Sequence, residues 1–389
     1  MPNSTPPEYR LITTTQALQT MVEELAETTE LALDTEFMRE KTYYPQLCLI
    51  QLATAKDCWL IDPLASGIDL APLRALLTRP DLTFVLHSAK GDLEVLWHGF
   101  GQLPQRLFDT QVAARFLGYG EQVSYAELAL RALDLNLNKS ARGTDWSMRP
   151  LKTTQLVYAA ADVQYLPRLA AKLRQDLIAH GRQDWLLDTA SELLDPTLYQ
   201  PDISNQWRKF ANSYWKLPRQ QLLFGLLQWR DEQAMKQDRP RRWVLSDDAV
   251  QDLAESAPKT LAEVAGRRVL SPSWREGAKA NQLLAAIQHI LNHPPALPPL
   301  QQAPPLNNSQ SALLEMLKLL LKLRAEEMEI APSLLATALE LQQFAAGQRD
   351  LPMLTGWRAP LFGDHALNLA NGSLSLSYRN GQIAYVLSS

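Results

Sequence analysis

A mixed α/β domain followed by two mostly helical units is the architecture predicted for this 389-residue chain. Three observations carry it. Short apolar, β-rich runs alternate with helically spaced segments over residues 30–115. Strand signals stop after residue 205, apart from one hairpin pattern near the C-terminus. Six prolines then fall within residues 291–306, LNHPPALPPLQQAPPL, dividing the helical remainder in two.

The expected strands are LALDTEF (31–37), LCLIQLAT (47–54), DCWLID (57–62) and TFVLHS (83–88), each rich in Leu, Ile, Val and aromatics. LAPLRALLT (70–78) and GDLEVLWHGF (91–100) have helical spacing. From Asp109 the pattern is helical through TQVAARFLG and SYAELALRALD, then over a long stretch from Leu151 to His180. Three strands in succession, then alternation with helices, imply a mixed sheet. Later helices are expected at Leu217–Gln237, Asp247–Glu255, Thr260–Val264 and Trp274–Leu291. Asp247, Asp248 or Ser246 would supply the N-cap of the second. Ser311–Glu329 and Ser333–Gly347 read as helices, and LSLSYRNGQIAYVL as a hairpin turning at Asn380-Gly381. The divisions expected are 1–205, 206–292, a proline-rich linker at 293–306, and 307–389.

Hydrophobic residues make up 46% of the chain, enough for several cores. The start, MPNSTPPEYR, lacks a basic stretch followed by an apolar one. LLEMLKLLLKLR is interrupted by Lys318 and Lys322. A soluble, cytoplasmic protein without membrane association is therefore expected. Two cysteines, Cys48 and Cys58, are too few for a cysteine zinc site. No P-loop or dinucleotide fingerprint occurs, so no nucleotide cofactor is expected, and the histidines lack zinc-ligand spacing. The net charge of −4 is uneven: 18 basic and 26 acidic residues over 1–206, against 14 and 9 over 207–290. An acidic domain that holds cations, beside a basic module with phosphate affinity, would produce that imbalance; so would chance.

The candidate chemistry begins at Asp34-Thr35-Glu36. Alternation along a strand points residues 34 and 36 the same way, beyond the apolar residues 31–33. Two carboxylates together at a buried strand end repel and lose hydration unless a cation neutralises them. A solvated turn is the competing explanation. Asp92 follows the strand TFVLHS through an expected tight turn at Gly91 and lies in the first turn of a helix. There it could simply cap backbone N–H groups. Tyr158 and Asp162, in VYAAADVQYL, are four residues apart and share a helix face. A surface Asp beside a half-buried Tyr reads equally well.

The order of these elements resembles the DEDD exonuclease superfamily in its tyrosine-bearing branch. The histidine of the other branch would stand at Val157, whereas the tyrosine is present as Tyr158. LDTEF, YYPQLCLIQLAT, HSAKGDLEVL, FDTQVAARFLG, LNKSARGTDWSMRPL and YAAADVQYL tighten the resemblance to the ribonuclease D family over residues 9–290. The resemblance implies an RNase H-like exonuclease domain followed by two helicase-and-RNase-D C-terminal (HRDC) modules. The second of these is divergent, with TGWR at 355–358 its best word.

It also implies chemistry. Asp34, Glu36, Asp92 and Asp162 would hold two Mg²⁺ or Mn²⁺ ions bridged by the scissile phosphate, and nucleoside 5′-monophosphates would leave the RNA 3′ end. Tyr158, with an ordinary pKa of about 10, would orient the attacking water rather than deprotonate it. RNA 3′ ends, tRNA precursors among them, are the expected partners. A proofreading-type DNA 3′→5′ exonuclease and an inactive nucleic-acid-binding protein are the alternatives. Phe37 could pack against the terminal nucleotide or lie in the core. Lys139 and Arg149 flank the TDW loop and could meet substrate or be ordinary surface bases. Lys236, Arg239, Arg241 and Arg242 stand beside Trp243, as a single-strand-binding surface or a solvated loop over a core Trp. Deletion of residues 207–389 is expected to weaken RNA binding and spare chemistry on short oligomers.

Overall fold

The computed structural model describes residues 8–137, 143–212, 214–299, 304–379 and 381–387. The chain forms two compact units, one from residues 1–36, 47–198 and 302–389, the other from 37–46 and 199–301.

The first unit opens with β1 (Arg10–Ile12) and α1 (Thr15–Glu24), then β2 (Glu30–Met38), β3 (Gln46–Ala53) and β4 (Cys58–Ile61). Next come α2 (Ala71–Leu77), β5 (Thr83–Leu86), α3 (Lys90–Phe100) and β6 (Arg106–Asp109). The sheet order is β1-β4-β3-β2-β5-β6. β3 pairs antiparallel with β4, whereas β1–β4, β2–β5 and β5–β6 are parallel, so the sheet is mixed as expected. The strands bury near-continuous apolar runs: Leu31–Leu33, Cys48–Ile50 and Phe84–Leu86 are all inaccessible. Helices α4 (Thr110–Arg115), α5 (Tyr125–Leu133), α6 (Thr153–Gln164), α7 (Leu166–Ala179) and α8 (Gln183–Glu192) follow.

Three local expectations need correction. β1, at three residues, is too short for an alternation pattern to register, and β6 is a further strand that was not expected. The turn before α3 is made by Ser88, with φ of 62°, while Gly91 is an ordinary helical residue. The stretch 151–180 is two helices, because Pro167 has no N–H for a continuing ladder and the chain breaks at Tyr165.

The second unit contains α9 (Ser204–Phe210), α10 (Leu217–Lys236), α11 (Arg241–Val244), α12 (Asp247–Ser256), α13 (Leu261–Ala265), α14 (Pro272–Arg275) and α15 (Gly277–Asn292). Ser246, not the aspartates, caps α12 by accepting from the Ala249 N–H. Trp207, Leu223, Leu227, Leu253, Leu283 and Ile287 lie in its core. Tyr43 packs on that core. Its hydroxyl donates to Asp231 at 2.8 Å and accepts from Arg241 Nη2 at 2.8 Å.

The last segment returns to the first unit with α16 (Asn308–Met328), α17 (Pro332–Leu335), α18 (Ala338–Ala345), α19 (Asp364–Asn371) and the antiparallel hairpin β7 (Leu374–Arg379) and β8 (Gln382–Leu387). Asn380 of the expected turn lies outside the described residues. This segment is built into the nuclease part. Trp357 stacks on Trp185 with centroids 5.0 Å apart and meets Phe116 edge-on at 5.5 Å. Arg182 donates to the carbonyls of both Phe116 and Met328 at 2.6 Å. The Ala331 N–H donates to Arg115 O at 2.9 Å. A clean separation of binding from chemistry at residue 207 does not match this packing. No described helix is long and apolar enough to cross a membrane.

Candidate active site

Asp34 and Glu36 leave β2 where its buried apolar run ends. The parallel partner β5 fixes that strand, with Leu31 opposite Phe84 and Ala32 opposite Val85. α6 packs on β4 through an apolar face that includes Ala159, Ala160 and Val163, and the small alanines let it approach closely. That approach brings Asp162 to the strand end. Carboxylate oxygens of Asp34, Glu36 and Asp162 lie within 4.8 Å of one another.

Asp92 stands beside this group. Its Oδ1 accepts from the Thr35 N–H at 3.1 Å and from the Thr35 hydroxyl at 2.6 Å. Thr35 therefore matters as much as its neighbours, and reading the triplet as two acids around a spacer overlooked it. Asp109 was also missed. It is 2% exposed and accepts from Ser88 N at 3.0 Å and Ala89 N at 2.8 Å, at the start of α3. The same carboxylate accepts from Gln111 N at 2.8 Å and Val112 N at 3.3 Å, at the start of α4. One buried side chain thus caps α4 and holds the turn that leads into α3, whose first turn carries Asp92. Its position before a helical run was the available signal.

Burial and mutual repulsion raise the pKa values of Asp34, Glu36 and Asp92. Glu36 is pushed up to about 8 by burial first, then by Asp162 and Asp92. Burial raises Asp92 to about 7, with the Thr35 hydrogen bonds pulling it back. Asp34 lies well above the ordinary carboxylate range through burial and the charges of Asp92, Asp162 and Glu36. Clustered hard oxygen donors that repel when ionised fit a divalent cation such as Mg²⁺ or Mn²⁺.

Tyr158 lies one turn before Asp162. Burial and Asp162 raise its pKa above the ordinary phenol value. Trp146 packs beside it, ring centroids 6.2 Å apart at 37°. The Tyr125 hydroxyl points to Ala161 O at 3.5 Å, in the last turn of α6.

The candidate substrate contacts fare differently. Phe37 is half-buried beneath the Arg39 guanidinium at 5.3 Å, so it is neither a core residue nor a bare platform. Lys139 lies outside the described residues. Arg149 is not an open phosphate ligand, because all five of its N–H groups are committed within the protein. Arg241 is likewise occupied, paired with Asp231 and stacked over Tyr43 at 4.7 Å. Arg242 has its side chain 73% exposed, with Asp247 at 3.3 Å, and Trp243 is 60% exposed rather than core.

A mixed sheet that presents an acid cluster beside a helical tyrosine defines a metal-dependent 3′→5′ exonuclease domain. The sequence model described as 3′-5′ exonuclease matches residues 9–178, and that of the HRDC domain matches residues 219–287. Ribonuclease D of Acidiphilium cryptum is 38% identical, over 99% of both chains. That of Bartonella henselae is 36% identical, over 96% of this chain and 93% of its own. The crystal structure of Escherichia coli RNase D, described as an exoribonuclease involved in structured RNA processing, aligns with a TM-score of 0.77. It is 33% identical and covers 94% of this chain and 99% of its own. The chain belongs to the ribonuclease D family and is a 3′→5′ exoribonuclease, a hydrolase.

Proposed function

We propose that the chain trims the 3′ ends of structured RNAs in the cytoplasm, tRNA precursors among them, by hydrolysis at the Asp34–Glu36–Asp162 cluster. The convergence of these three carboxylates within 4.8 Å carries the reading. Asp34, Glu36, Asp92 and Asp162 would hold two divalent cations, Mg²⁺ or Mn²⁺. Such ions lower the pKa of a water and neutralise charge on the leaving 3′ oxygen.

The chain's own groups supply the rest. Thr35 holds the Asp92 carboxylate through two donors to its Oδ1. The raised pKa of Tyr158 leaves its hydroxyl protonated at neutral pH, so it can donate one hydrogen bond and accept another. It orients the attacking water and does not remove its proton. Arg242 and Trp243, with Lys236 and Arg239 nearby, offer an exposed basic and aromatic surface for the RNA body. Residues 307–389 are read as a second, divergent HRDC-like module.

The test compares matched RNA and DNA oligomers with Mg²⁺ or Mn²⁺, for the wild type and Asp34→Ala. Release of 5′-monophosphates from RNA, lost in a folded Asp34→Ala variant, is expected. Equal degradation of DNA would favour the proofreading alternative. Turnover of wild-type magnitude in Asp34→Ala, or insensitivity to EDTA, would sink the assignment.

A further inference from the structure

We propose that Asp62, Arg149 and Trp146 form a clamp that positions Tyr158. The inference rests on the reading of Tyr158 as the residue that orients the attacking water.

Asp62 is the fixed end. It follows β4, is 7% exposed, and accepts the Leu64 N–H at 2.9 Å. Arg149 grips it with a two-pronged fork: Nε donates to Oδ2 and Nη2 to Oδ1, both at 2.7 Å. Nη2 also donates to Cys48 O at 2.6 Å, on β3. Nη1 reaches back into the loop, to Trp146 O at 2.7 Å and Met148 O at 2.9 Å. The loop is thereby tied to two strands of the sheet.

A second attachment lies on the other side of Trp146. Gln155, buried in the first turn of α6, donates through Nε2 to Thr144 Oγ1 at 3.2 Å and to Asp145 O at 3.4 Å. Its Oε1 accepts the Lys152 N–H at 3.0 Å. The loop is fastened both to the sheet and to the helix that carries Tyr158. Between the two fastenings Trp146 is 4% exposed, with its ring against Tyr158.

A loop that merely joined two helices would have no need of this. Its neighbour Met148 is 62% exposed, as loop residues ordinarily are. Burying an indole there, and spending all five guanidinium donors to keep it buried, makes a rigid wall for one rotamer of Tyr158. The wall fixes where the phenol oxygen stands relative to the carboxylates. A displacement of about 1 Å at such a group costs on the order of 100-fold in rate. Trp146, Arg149 and Asp62 are positioning residues, acting through Tyr158.

The experiment is a kinetic cycle on the full chain with Mn²⁺ and a short RNA oligomer, using Trp146→Phe, Arg149→Lys, Tyr158→Phe and the Trp146→Phe/Tyr158→Phe double variant. Arg149→Lys and Trp146→Phe are expected to lower kcat by about tenfold or more with KM within twofold. Mn²⁺ binding by calorimetry and thermal melting should stay near wild type in Trp146→Phe. The Trp146→Phe loss should disappear in the Tyr158→Phe background. An equal loss in both backgrounds, or an effect on KM alone, would overturn the clamp. So would a Trp146→Phe enzyme with wild-type turnover while Tyr158→Phe is impaired. Full activity of Tyr158→Phe would overturn the clamp together with the reading beneath it.

Discussion

Thr35 and Asp92 lie 57 residues apart in sequence, and both the N–H and the hydroxyl of Thr35 donate to one oxygen of Asp92. This pairing opposes burial, which holds the Asp92 carboxyl at about 7. Thr35→Val removes the shorter bond at nearly constant volume. The Asp92 pKa then rises further, so the acid limb of the pH–rate profile moves to higher pH and activity at pH 7 falls roughly tenfold. A steady-state profile from pH 5.5 to 9 measures it. An unmoved acid limb would separate Asp92 from catalysis.

Metal and protons should compete at the cluster. Asp34, Glu36 and Asp92 all have folded pKa values above their ordinary ones, with Glu36 at about 8 and Asp92 at about 7. Below about pH 4 these groups are protonated in both states and their contribution to stability is fully present. As pH rises, the unfolded chain releases these protons first. The metal-free protein therefore loses stability up to about pH 8. Mn²⁺ should raise Tm more at pH 8 than at pH 6, by scanning fluorimetry. An equal gain at both would contradict the protonated cluster.

The two arginines of the basic segment should separate cleanly. Arg241→Ala leaves the buried Asp231 without its paired cation and should destabilise the second unit by about 1–3 kcal/mol. Arg242→Ala should leave melting unchanged, weaken RNA binding, and reduce the salt slope of affinity by about 1. Binding titrations at several salt concentrations, beside thermal melts, read both effects. Weaker RNA binding by Arg241→Ala at full stability would reverse the assignment.

Trp357→Ala tests whether the C-terminal segment is structural. It removes the stack on Trp185 and the edge contact with Phe116, and should cost about 2 kcal/mol. Chemical denaturation of the full chain measures it. Deleting residues 304–389 should do more harm and yield an unstable nuclease domain.

How much of this the sequence disclosed depended on the range of the interaction. Asp34 and Glu36 were legible as a pair because alternation is local, and Tyr158 and Asp162 because a helix returns every four residues. What lay beyond was set by partners far along the chain. Nothing near Arg149 announces Asp62, so a committed guanidinium read as either a substrate ligand or an ordinary surface base. Nothing near Asp109 announces Ser88 and Ala89. Ser88, in the left-handed region, made the tight turn expected at Gly91, and the backbone N–H groups of Ser88 and Ala89 face the Asp109 carboxylate, a constraint no window of neighbours contains.

The sheet order carries a consequence for synthesis. β1 pairs with β4, and β2 meets β5, only after the intervening chain exists. The carboxylate cluster needs residue 162 as well as residue 34. A chain still emerging from the ribosome would therefore be harmless to the RNA around it, and would become a nuclease only once most of its first unit had been translated and folded.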